Sequence, residues 1–267
     1  METNPQKAQM ADESMLRTLS AQMEAIWPQE AELLPRYCLR STSRVLDLGC
    51  GPGELGVRLN SALPGITVDG VDLNEAHLAR ARHRITNGRL IHGDVLHPPV
   101  ESAAYDVVFC RHVLQAVPHA EQVIAACIQA ARPGGWVHLL AEDYGTIYAW
   151  PMRHDLDRFW RESAMAFGEA TGTDMRIGRR AYTECKRAGL VDLRIDYATV
   201  DPVRVNRSVI ARIWEAWRDG YVDGVAEKTG VSAAHLREVW DELIAVTRSN
   251  DGYVVWQVPI VTGRREP

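Results

Sequence analysis

The chain has 267 residues, 46% of them hydrophobic and 24% charged, which is enough apolar material to bury a sizeable core as one elaborated domain and excludes a disordered polypeptide. A formal net charge of -5 and a pI near 6.0 exclude nucleic-acid binding by summed charge, which needs clustered Lys and Arg, so a small-molecule partner is expected. No stretch approaches the roughly 20 apolar residues that cross a bilayer, and METNPQKAQMADES lacks an apolar signal core, so the expectation is a cytoplasmic protein with no membrane partner.

Residues 1 to about 12 are expected to be disordered. ESMLRTLSAQMEAIW then sets Leu16, Leu19, Met23 and Ile26 at helical spacing, with Pro28 interrupting and a second short helix following, so residues 1–42 form an N-terminal helical region. From Arg44 the pattern alternates: strand RVLDLG, helix ELGVRLNSAL, strand ITVDGVDL, helix NEAHLARARHRI, strand RLIHGD, strand YDVVFCR, helix AEQVIAACIQAA, and strand WVHLLAED after the RPGG turn. Alternating βα units of this kind predict a parallel sheet with helices on both faces. Beyond Gly145 two Trp-rich helical stretches, about 145–170 and 203–250, read as insertions. Between and after them lie helix RRAYTECKRAG and strands LVDLRIDYATV and YVVWQVPIVTG, which are expected to pair antiparallel at the sheet edge and carry the insertions above the strand C-termini.

The most informative run is Val45 to Gly56, an apolar strand that ends in an acid and opens into Gly49, Gly51 and Gly53. A ligand lies flat against a βα turn only where side chains are missing, so this is a nucleotide-binding loop. GPGELG also satisfies the dinucleotide pattern G-x-G-x-x-G. Asp47 two residues before the first glycine, the stiff Pro52 and the long preceding segment tilt away from a nicotinamide or flavin site. Asp47 closes an apolar strand, where an unpaired acid is costly, and Asp72 in GVDLN ends the next strand, where a carboxylate can accept two hydrogen bonds. Asp94 in HGDVLHPP either meets a ligand or caps its own loop. The five cysteines are odd in number and show no CxxC pair, which predicts buried reduced thiols and no structural metal; neither Cys50 nor Cys110 is expected to act as a nucleophile.

Taken in order, DLGCGPG (Asp47 to Gly53), GVDLN, HGDVLHPP, YDVVFCRHVLQAV and ARPGGWVHLLAED resemble the motifs of the class I S-adenosylmethionine-dependent methyltransferases, over residues 45 to 143. Within that superfamily the chain looks most like the small-molecule branch that includes quinone-biosynthesis and natural-product enzymes. The resemblance implies a doubly wound, mostly parallel seven-stranded sheet with an inserted helical lid, a cofactor-binding core over 43–144, and the rest of the core with its insertions over 145–267. It implies S-adenosyl-L-methionine as cofactor and S-adenosyl-L-homocysteine as product. Asp47, Gly49, Gly51 and Gly53 would cradle the cofactor, Asp72 with Leu73 would hold the ribose, and Asp94 and Val95 would meet the adenine. Arg111 would position the methionine carboxylate or contribute backbone there.

Methyl transfer to an amine, phenol or enolisable carbon needs a base at some stage, and the ends of the fourth and fifth strands offer Arg111, His112, Glu142, Asp143 and Tyr144. His112 is the candidate base, because the ordinary imidazole pKa lies near neutrality; a satisfied histidine at a strand end is the alternative. His154 is a weaker candidate. Val209, Ile210, Ile213, Trp214, Trp217 and Tyr221 form one helical stripe. With Tyr144, Tyr148, Trp150 and Trp160, the residues Trp214 and Trp217 are expected to line a lid over a small aromatic or heterocyclic acceptor methylated at N, O or C. Two rival functions remain: methylation of RNA or protein, for which ARARHRI and RIGRR are short as basic patches, and non-catalytic cofactor binding on the same fold.

Overall fold

A computed structural model describes Pro5 and residues 13–267, so the expected disorder at the extreme N-terminus falls almost wholly outside the described residues. Strands β1 (Arg44–Leu48), β2 (Thr67–Asp72) and β4 (Tyr105–Arg111) are buried along nearly their whole length. Strands with no solvated face need helices on both sides, and α2 (Glu54–Ala62), α3 (Glu75–Arg82) and α4 (Ala120–Ala130) follow them in alternation. With β3 (Leu90–His92) and β5 (Ala131–Leu140), the parallel part of the sheet runs β3-β2-β1-β4-β5. The RPGG turn lies inside β5 as an irregularity and not before it, because Ala131 pairs with Tyr105 while Trp136 pairs with Val107.

Strand β8 (Tyr253–Arg264) runs antiparallel beside β5, and β7 (Val191–Val200) covers its other edge, as expected for the two late strands. The sheet has eight strands where seven were expected. The addition is β6 (Ile147–Trp150), which lies within the first insertion and pairs with the opening residues of β8, past the end of β5. Helix α7 (Gly178–Arg187) packs against β7 and β8.

Helix α1 (Glu13–Glu30) contains Pro28 in its last turn and does not stop there. Its end is anchored: the buried Glu30 carboxylate accepts from Arg111 Nε at 2.8 Å and lies 3.0 Å from His138 Nε2, which offsets the single backbone bond a late proline removes. A 3-10 turn, Ala31–Tyr37, follows in place of a second α-helix. The helical insertions comprise α5 (Leu156–Trp160), a π-helical turn at Arg161–Met165, α6 (Ala166–Thr171), and the long pair α8 (Arg207–Thr229) and α9 (Ala233–Arg248). Helix α1 lies on α8 at close range, since a Cβ at Gly220 would stand 2.5 Å from Ser14 Oγ. This contact brings the N-terminal helix over the C-terminal ends of the parallel strands.

Candidate active site

An open cleft, about 900 Å³ counting its mouth to solvent, lies at the C-terminal ends of β1, β2, β4 and β5. Its floor begins at the glycine turn. Gly49 has φ +84°, and a Cβ there would sit 2.4 Å from Val113 Cγ2, so the close approach of the two strand ends requires glycine. The backbone N–H of Gly51 donates to Asp72 Oδ2 at 2.7 Å, and that of Asn74 donates to Oδ1 at 2.8 Å. Asp72 is thus fixed by two backbone donors, each oxygen keeping a lone pair for a further donor. Burial raises its pKa, against the pull of those N–H groups. Gly53 lies outside the cleft: it opens α2 in a left-handed conformation, packed against Ile85. Leu73, Asp94 and Val95 line the cleft. Asp94 also caps its own loop, accepting from Leu96 N at 3.0 Å, so the capping alternative is part of its role.

Asp47 borders an adjoining pocket that shares Gly49, Gly51, Arg111 and His112 with the main cleft. It is buried, and burial pushes its carboxyl up to about 7 although Arg111 pulls the other way. The Arg111 guanidinium pairs with Glu30 through Nε, while its buried Nη2 has no hydrogen-bond partner among the described residues. Burial opposes ionisation of Glu30, but Arg111 and then His138 outweigh it and hold that carboxylate at about 2. A buried guanidinium with one nitrogen unused at the edge of a cleft is suited to an anionic ligand group.

His112 follows β4 directly and has φ +57°, an uncommon conformation for a residue with a Cβ. Three bonds hold it there. Its N–H donates to Leu140 O at 3.1 Å, its carbonyl accepts from Gln115 Nε2 at 2.8 Å, and its Nδ1 lies 2.6 Å from Glu142 Oε1. A carboxylate on Nδ1 selects the tautomer protonated there, which leaves Nε2 as an acceptor; Nε2 is buried and has no partner among the described residues. Glu142 also accepts from Gln22 Nε2 of α1 at 3.2 Å. The Tyr144 and Tyr221 hydroxyls stay protonated, pushed up by burial and by the nearby Glu142 charge.

The expected aromatic lid divides. Tyr144 and Trp217 line the cleft. Trp214, three residues away, does not reach it: its side chain is fully buried between helices and its Nε1 donates to Thr247 Oγ1 at 3.1 Å. Trp160 lines a second cavity beyond Tyr144 and Trp217. Tyr148 and Trp150 lie on the exposed strand β6, at 53% and 72% accessibility, and border neither cavity. His154 is held by Glu242 of α9, away from the cleft, and Asp143 is occupied by Arg179 at 2.8 Å. Cys50 and Cys110 are buried thiols pushed well above the ordinary thiol pKa, Cys50 by burial and Cys110 by a hydrogen bond with Cys127 and then burial. Sequence reasoning missed the contribution of α1, whose Met15, Thr18, Leu19 and Gln22 form one wall, and missed Gln115; Tyr221, which it placed on the aromatic stripe, lines the cleft. The one available signal was register: Arg111 pairs with Leu140 in parallel, which sets His112 and Glu142 side by side just beyond.

Residues 45–135 match the family described as a methyltransferase domain. Over that stretch the chain is similar to methyltransferase domains. A ubiquinone biosynthesis O-methyltransferase of Bordetella pertussis is 35% identical over 147 residues, 47% of this chain and 59% of that protein. The chain therefore matches little more than half the length of that relative. Among solved structures, a Haemonchus contortus phosphoethanolamine N-methyltransferase 2 in complex with S-adenosyl-L-methionine aligns with a TM-score of 0.56 at 17% identity, over 90% of this chain and 53% of that one. The [4+2]-cyclase SpnF aligns with a TM-score of 0.54 at 17% identity, over 90% and 81%. The last two show that this chain shares its fold with proteins of different activities, so chemistry must be argued from the site. No described helix is long and apolar enough to cross a membrane.

Proposed function

We propose that the chain is an S-adenosylmethionine-dependent methyltransferase acting on a small organic acceptor. The observation that carries this reading is the convergence on one cleft of the glycine turn, the backbone-held Asp72, the half-used Arg111 and the Glu142-held His112. The donor set fits the cofactor: Asp72 would take the ribose hydroxyls, Asp94 and Val95 the adenine, and Arg111 Nη2 the methionine carboxylate. The adjoining Asp47 would face the cofactor's cationic groups. When bound, that cofactor supplies an electrophilic methyl group on sulfur.

The remaining work falls to this chain's own residues. His112 Nε2 accepts the proton of an acceptor O–H or N–H, and Glu142 stabilises the resulting imidazolium through Nδ1–H. Tyr144 and Trp217 form an apolar wall that orients the acceptor, and α1 limits water entry from the opposite side. Residues 43–144 would hold the cofactor and supply His112, Glu142 and Tyr144, while 145–170 and 203–250 would shape the rest of the acceptor side. Titration calorimetry with S-adenosylhomocysteine tests the cofactor half. Binding to the wild type that weakens by about 2–4 kcal/mol in Asp72→Ala supports it, and absence of binding refutes it. A retained cofactor with no methyl acceptor among phenols, amines and acids would favour the non-catalytic rival.

A further inference from the structure

The second cavity, about 500 Å³ counting its opening to solvent, shares Tyr144, Trp217 and Tyr221 with the main cleft, so the three side chains form the far wall of one space and the near wall of the next. Its remaining lining is aromatic and aliphatic, with no charged side chain. Two of the polar atoms around it are engaged within the fold. Trp160 Nε1 donates to Ile147 O at 3.3 Å, and Ser163 Oγ donates to Phe159 O at 2.5 Å. An occupant of this space meets no side chain that compensates a charge.

The space is built into the fold. The π-helical turn Arg161–Met165 places the small side chains of Ser163 and Ala164 on the chamber wall, between the large rings of Trp160 and Phe167. Such turns are rare and concentrate at functional sites. Around them Trp160, Trp217 and Trp240 brace one another with centroid separations of 5.5 and 6.2 Å, which prevents neighbouring side chains from collapsing inward.

We propose that this chamber seats the apolar part of the acceptor, and that the acceptor is an amphiphile with a nucleophilic O–H or N–H head at His112 and an uncharged hydrocarbon or aromatic tail beyond Tyr144. The inference rests on the reading that the cleft takes a methyl acceptor, and it excludes acceptors that are small and charged throughout. The catalytic dyad and the chamber lie on opposite sides of Tyr144, so head and tail are sorted by polarity. Burying a tail of growing length then tightens binding stepwise.

The probes are 4-alkylcatechols of increasing chain length, with an ω-carboxyalkylcatechol of matched length as the charged counterpart. Each is titrated against the full chain with S-adenosylhomocysteine present, following tryptophan fluorescence, and each is assayed for methylation in parallel. The expected dissociation constant falls about fourfold per methylene until the chamber is full, and the carboxylate-ended probe binds at least about tenfold more weakly. Ala164→Phe fills the chamber and should abolish the chain-length gain while leaving affinity for unsubstituted catechol and for S-adenosylhomocysteine unchanged. Val225→Phe, from a different part of the wall, makes the same test should the first variant fail to fold. Affinity independent of chain length, or a full chain-length gain in a folded filled variant, overturns the proposal. Turnover without chain-length dependence refutes the chamber and spares the methyltransferase reading; chain-length dependence without turnover does the reverse.

Discussion

If Asp47 faces the bound cofactor as proposed, binding should be linked to protons. Burial raises its carboxyl from the ordinary 3.8 to about 7, against the opposing pull of Arg111. In the unfolded chain it ionises near its ordinary value, so between that value and about 7 the folded state holds a proton that the unfolded state has released. Its contribution to stability is therefore most favourable at low pH, declines through that window, and reaches its full cost above about 7. The span corresponds to on the order of 4 kcal/mol. Asn mimics the protonated acid, so Asp47→Asn should flatten the melting-temperature profile and, in the ligand-free protein near pH 8, be more stable than the wild type. Burial thus brings the same carboxyl toward the neutral range. A ligand that places a cation beside it should favour the ionised form, so S-adenosylhomocysteine binding near pH 7 should release protons. Calorimetry in buffers of different ionisation enthalpy reads this directly, and Asp47→Asn should remove the buffer dependence. A variant with the wild-type pH profile, or with undiminished buffer dependence, would refute the reasoning.

His112→Ala and Glu142→Gln should each lower kcat on the order of 10²–10⁴-fold with little change in S-adenosylhomocysteine affinity, and the Glu142 variant should show an altered pH profile where a merely structural role would not. Trp217→Ala should raise the KM for acceptor with cofactor binding intact, whereas Trp214→Ala should cost about 3–5 kcal/mol of stability and show no selective acceptor defect; denaturant melts beside steady-state kinetics separate the two. Glu30→Gln strands the buried Arg111 guanidinium and should destabilise the fold by about 3–5 kcal/mol, read by chemical denaturation.

The parallel core and its ligand turn were legible because each feature leaves a local mark: apolar runs for doubly buried strands, glycine where strand ends approach, and an acid closing an apolar strand, as at Asp47 and Asp72. The extra strand β6 was not, since four residues, Ile147–Trp150, are too few to show a period and their pairing with β8 is set by tertiary structure. Periodicity put Trp214 and Trp217 on one helical stripe, but a stripe records only which face is buried. Whether it meets a neighbouring helix or a cleft depends on rotation against α1 and α9, and three positions along the turn separate the two outcomes. The same limit hid Thr18 and Gln22, polar residues on the cleft-facing side of a helix whose partner surface is distant in sequence. The dyad needed two facts at once: that β4 and β5 are adjacent, and that their parallel register sets His112 beside Glu142.

The most direct test supplies S-adenosylmethionine with a deuterated methyl group and a panel of phenolic, amine and acidic acceptors, and follows the label by mass spectrometry in wild type and His112→Ala. The site described above predicts label in a small acceptor with the wild type, and label reduced on the order of 10²-fold or more in the variant while S-adenosylhomocysteine still binds it with wild-type affinity. Transfer by His112→Ala at the wild-type rate, or a wild-type protein that does not bind S-adenosylhomocysteine, would contradict it.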